Sequence, residues 1–111
     1  MTAAQSPSIT AISNDELLAL YERMMQIRTF EDAAGKNFAD GLIPGFVHLY
    51  AGEEAVGVGV CAHLTDRDYI TSNHRGHGHC IAKGVDIPSM VAELMGKSTG
   101  LCKGKGGSMH I

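Results

Sequence analysis

Apolar positions recur at helical spacing along the first third of the chain. Leu17, Leu20, Tyr21, Met24, Ile27 and Phe30 fall three or four residues apart, which predicts an amphipathic helix. Ser13 or Asn14 can cap it, and Asp15 and Glu16 occupy its first turn, where the helix dipole favours acids. Gly35 is expected to interrupt this helix and Gly41 to end it. Met24 and Met25 read as core filler. Leu42 to Val47, with Pro44 and Gly45, reads as a loop. From Glu53 to His63 the pattern changes to small side chains, among them Ala55, Val56, Val58, Gly59, Val60 and Ala62. Such residues let a helix approach another backbone closely, so a second, buried helix is predicted. Thr65-Asp66-Arg67-Asp68 reads as a turn, and Tyr69-Ile70-Thr71 as a short buried strand. Cys80 to Lys83 is a short helical piece. Asp86 caps a further helix, with Pro88 in its first turn, that runs through Met95 and stops at Gly96. Residues 97–110 form a loop rich in glycine and lysine.

The order is helix, loop, helix, strand, histidine loop, helix, glycine loop. It predicts the opening of an α/β domain, with residues 1–12 a flexible lead-in and 13–111 one incomplete unit. One strand cannot make a sheet, so the other strands are expected outside this chain. The stop at Ile111, straight after a glycine-rich loop, reads as a truncation.

Composition narrows the class. At 111 residues the chain fits one small domain, and its 44% hydrophobic share is globular. A net charge of −3 gives no basic face of nucleic-acid type. Lys97, Lys103 and Lys105 lie among glycines without aromatics to stack on bases. The three cysteines, Cys61, Cys80 and Cys102, form no C-x-x-C pair and read as reduced structural thiols of a cytoplasmic protein. The first ten residues match neither a signal peptide nor a presequence, and no apolar run is long enough to span a membrane.

The candidate chemistry follows the expected strand at once. In open α/β sheets ligands bind beyond the carboxyl ends of strands, and His74-Arg75-Gly76-His77-Gly78-His79 stands at such a place. Arg75 offers a planar fork of donors suited to phosphate oxygens. Gly76 and Gly78 permit close approach, and the histidines can hold or move protons near neutral pH. A polar loop with histidines by chance is the blander reading. A zinc site is another, ranked lower because no second ligand cluster accompanies the run. His48, alone before a helix, is more often structural than catalytic. The Lys103–Ser108 loop lacks the spacing of a phosphate-binding loop.

Three segments together carry more weight. They are Gly45-x-x-His48-x-x-x-Gly52-x-Glu54-Ala55, then His74-Arg75-Gly76-His77-Gly78, then Gly100-x-x-Lys103-Gly104-Lys105-Gly106-Gly107-Ser108-Met109-His110. In this order they resemble the α subunit of the thiamine-diphosphate-dependent dehydrogenase component of 2-oxo acid dehydrogenase complexes. Many members carry Tyr-Arg where this chain has His74-Arg75, and the form seen here is most similar to the acetoin dehydrogenase branch. The resemblance implies a thiamine-diphosphate-binding α/β fold, a parallel sheet flanked by helices. It implies an α2β2 assembly with a β subunit, and an acetyl group passed from acetoin to lipoamide on an acyltransferase. Pyruvate or a branched-chain 2-oxo acid is the alternative substrate. The resemblance also implies that His74 and Arg75 contact the cofactor, and that His48 and His77 serve catalysis. The ligands for Mg2+ would lie beyond Ile111.

Overall fold

The computed structural model describes residues 12–111. The expected lead-in therefore falls outside the described residues, apart from exposed Ile12. Four helices follow: α1 (Asn14–Ala39), α2 (Glu54–Cys61), α3 (His77–Ala82) and α4 (Ile87–Leu94).

Helix α1 starts where local chemistry demands. Ser13 accepts the Glu16 amide at 3.2 Å, and the Glu16 carboxylate accepts the Ser13 amide at 2.8 Å, closing a capping box. The helix passes through Gly35 without a break. That glycine packs closely: a Cβ there would stand 3.3 Å from a Leu49 methyl, which would have to shift slightly. Asp40 caps the end, and Gly41 turns the chain with φ 74°. At the other end of the chain Asp86 caps α4 by accepting the Ser89 amide at 2.9 Å, with Pro88 in the first turn.

Among the described residues no strand forms, so the expected parallel sheet flanked by helices is corrected to an all-helical arrangement. Tyr69-Ile70-Thr71 lies outside regular structure, and Tyr69 is 98% exposed. The physical reason is that strand propensity needs a ladder. No described segment pairs its backbone with these three residues, and β-branched composition alone does not hold a strand.

The core gathers Ile27, Phe30 and Ala34 of α1, Val58 of α2, Ile81 of α3, and Met90 and Leu94 of α4. Ile43 and Tyr50, from the segment after α1, complete it. Each large apolar side chain fully buried here contributes about 1.5–3 kcal/mol. Tyr50 is the wedge between α2 and α3. A Cβ on Gly78 would collide with its ring, and its hydroxyl lies against Gly57. Helix α2 is buried on this face only. Val56 and Val60 point outward, which corrects the expectation of a fully buried helix.

Candidate functional site

Three polar centres surround this core. The first is Glu93, fully buried on α4. Its Oε2 accepts the amides of Cys102 and Gly104, each at 2.8 Å, and its Oε1 those of Gly106 and Gly107 at 2.7 and 3.2 Å. One carboxylate thus winds the glycine loop around itself. Burial pushes its carboxyl up, but the backbone N–H groups together outweigh this and leave it below its ordinary value. Glycines are required in the wrap, since a Cβ on Gly100 or Gly104 would collide with Glu93 or with the backbone of Gly96.

The second centre is His77, which begins α3 and is fully buried. Its Nδ1 lies 3.0 and 3.1 Å from the two carboxylate oxygens of Glu31, and its Nε2 lies 2.9 Å from Ser108 Oγ. Phe30 meets the ring edge-on at 5.5 Å. Ser108 Oγ also accepts the backbone N–H of His48 at 3.0 Å.

The third centre is an open edge. His48 and His74 meet edge to face, with ring centroids 5.4 Å apart. His48 Nδ1 is buried and has no hydrogen-bond partner. Arg75 sits in the left-handed region at φ 61°, an uncommon conformation for a side chain of this size. Its guanidinium donates to the Leu49 carbonyl, and its Nε stands 4.0 Å from Glu53. The side chain remains 53% exposed. Beside this edge, Glu54 accepts from Arg28 at 2.6 Å and from the Gly52 amide at 3.0 Å. Arg28 chiefly holds the Glu54 carboxyl down at about 2, against the opposing effect of burial.

The structure thus brings together His48, His74 and Arg75 at one edge and sets His77 behind them. The histidine run does not converge. His74 faces His48, His77 points inward to Glu31, and His79 bonds Ser72 Oγ through Nδ1 at 2.7 Å. Among the described residues no group of three His, Cys, Asp or Glu is arranged to hold a metal ion, which weighs against the zinc reading. No described helix is long and apolar enough to cross a membrane.

Sequence reasoning missed Glu31, Glu93 and Ser108. A signal existed for the two acids. Glu31 falls on the stripe of Ile27 and Ala34, and Glu93 on that of Met90 and Leu94, so each puts a carboxylate on an apolar face. A carboxylate in that position is almost never buried unless paired, so partners had to exist. Ser108 carried no comparable mark.

A family model described as dehydrogenase E1 component matches residues 22–111. The chain is similar to the acetoin:2,6-dichlorophenolindophenol oxidoreductase α subunit of Bacillus subtilis, with 65% identity over 91% of this chain and 30% of that protein. The subunit of the same name from Cupriavidus necator is 56% identical over 98% of this chain and 33% of that protein. The pyruvate dehydrogenase E1 component α subunit of Porphyra purpurea is 47% identical over 90% of this chain and 29% of that protein. The chain spans about a third of the length of the curated relatives it matches.

Proposed function

Because the chain belongs to the dehydrogenase E1 component family, we propose that it is part of the α subunit of a thiamine-diphosphate-dependent, acetoin-cleaving dehydrogenase. The observation that carries this reading is the open edge. A buried, unpartnered ring nitrogen on His48 stands beside His74 and a half-exposed arginine fork. Unsatisfied buried polar atoms are rare in folded proteins, and a half-exposed arginine fork beside one suits an anionic ligand. The residues therefore fit the diphosphate end of thiamine diphosphate. The higher identity to two acetoin-linked subunits than to the pyruvate-linked one favours acetoin as substrate.

When bound, the cofactor supplies the nucleophilic carbon that cleaves the C–C bond beside a carbonyl. Arg75 binds diphosphate oxygens through the guanidinium N–H groups that Leu49 does not take. Its left-handed backbone is the strain that a binding residue carries. His74 lies against His48 and limits how that ring turns. The His48 ring can hold or accept a proton close to the bound cofactor. His77 has no exposed surface and acts behind His48. Mg2+ would be held by residues elsewhere in the protein and would offset the charge of the diphosphate.

A β subunit is the partner this surface supports. The two acetoin-linked relatives are named as α subunits, and Phe46, Val56, Val60 and Tyr69, exposed at 82, 65, 59 and 98%, offer apolar side chains for such a contact. In the full reaction acetoin yields acetaldehyde, and the acetyl group and two electrons pass to lipoamide on an acyltransferase. The test is an assay of the assembled α and β subunits with acetoin and with pyruvate, following 2,6-dichlorophenolindophenol reduction. Turnover is expected with acetoin. Turnover with pyruvate alone moves the assignment to the pyruvate branch, and turnover with neither overturns it.

A further inference from the structure

The contacts of Glu31, His77 and Ser108 have a direction that their donors and acceptors determine. The His48 N–H can only donate, so Ser108 Oγ accepts there. The Ser108 hydroxyl proton has no other acceptor among the described hydrogen bonds than His77 Nε2, 2.9 Å away, and pointing it there makes that nitrogen the acceptor. A neutral imidazole accepting at Nε2 carries its proton on Nδ1, and Nδ1 lies 3.0 and 3.1 Å from the Glu31 carboxylate, which only accepts. Every donor then has one acceptor, in a single order from His48 to Glu31. The opposite tautomer would set the Nδ1 lone pair against the carboxylate and leave the serine proton without an acceptor. A doubly protonated ring would orphan the same serine proton. Glu31 and His77 have no exposed surface and Ser108 has 6%, so water does not repair either fault.

We propose that Glu31, His77 and Ser108 form a proton-ordered relay that fixes the backbone of His48, with Glu31 and Ser108 as positioning residues for the ligand edge. Ser108 directly follows Gly107, whose amide Glu93 holds, so the glycine loop supplies a fixed anchor for the relay. The proton order is the one that pairs these donors and acceptors with Glu31 ionised, and it does not depend on what binds at the edge. Its consequence for ligand binding rests on the thiamine diphosphate reading given above.

The experiment is NMR of the protein labelled with 15N-histidine, with no ligand present. His77 is expected as the Nδ1–H tautomer with a bare Nε2. A protonated Nε2, alone or with Nδ1, overturns the relay. Glu31→Gln keeps an acceptor at Nδ1 and is expected to retain this tautomer, whereas Glu31→Leu is expected to lose it. Ser108→Ala is expected to move the His48 amide resonance and to weaken thiamine diphosphate binding in the assembled protein about 2- to 10-fold, the range for one neutral hydrogen bond. Ser108→Thr, which keeps the hydroxyl, is expected to restore both. If an alanine or leucine variant does not fold, the wild-type, Gln and Thr spectra still decide. If the relay signatures appear while Arg75→Ala leaves thiamine diphosphate affinity unchanged, the ligand reading fails and the relay stands. An unmoved His48 amide in Ser108→Ala, with Arg75→Ala weakened, removes the relay alone.

Discussion

The glycine loop and the histidine edge are both dense in hydrogen-bonding groups, and they use them in opposite ways. Around Glu93 each carboxylate oxygen takes two backbone amides, and the centre is closed. At the edge, His48 Nδ1 has no partner, Arg75 is half exposed, and its backbone is held at positive φ. The closed centre stabilises the fold. The open one leaves capacity unused, and unused capacity beside a cation is where an anionic ligand gains most. The relay through Ser108 joins the two, since it begins where the closed loop ends.

The contrast predicts that the loop fails in stability and the edge fails in binding. The largest effect is expected from Glu93→Leu, which strands four backbone amides and abolishes cooperative thermal unfolding or lowers Tm by more than about 10 °C. Glu93→Gln should fare little better, because its amide nitrogen must face two N–H donors. Calorimetric melting checks both, and an unchanged Tm would break the comparison at its closed end.

Arg75→Gly should sharpen the other end. Removing a side chain from the left-handed region relieves about 1 kcal/mol, which offsets the lost bond to Leu49 and leaves Tm within a few degrees. Binding of thiamine diphosphate by the assembled protein should nevertheless fall sharply. A large Tm loss with intact binding would reverse the roles assigned to the two regions.

Glu54 gives a smaller effect with a pH signature. Its folded pKa, about 2, lies below the ordinary 4.5, so its contribution is complete above about pH 4.5 and disappears as pH falls through about 2. Glu54→Gln should cost about 1–2 kcal/mol at neutral pH, discounted because Arg28 is half exposed, and this difference should vanish toward pH 2. Urea titrations of both proteins across that range test it. The smallest effect is expected from Tyr69→Ser, within about 0.5 kcal/mol, because the ring has no buried surface to lose.

These differences also explain what was legible in the sequence. Ser13 with Glu16, and Asp86 with Ser89, mark helix starts by bonds that span three residues, and Pro88 fits a first turn, so local reading finds them. The run from His74 to His79 was visible as a concentration of chemistry, and with His48 it marked the candidate edge proposed to bind the ligand. Tyr69-Ile70-Thr71 misled because strand formation depends on a partner that composition does not specify. Gly35 misled in the opposite sense, since its role is contact with Leu49 and not a break. The inward turn of His77 depends on Glu31 and Ser108, 46 and 31 residues away, and no local pattern links them.

The edge formed by His48, His74 and Arg75 is proposed to be the diphosphate end of a thiamine diphosphate site. The direct measurement is calorimetric titration of thiamine diphosphate with Mg2+ into the assembled protein and into its Arg75→Ala variant. A loss of about 1–3 kcal/mol, roughly 5- to 150-fold in Kd, is the predicted result. An affinity unchanged by the substitution would contradict it.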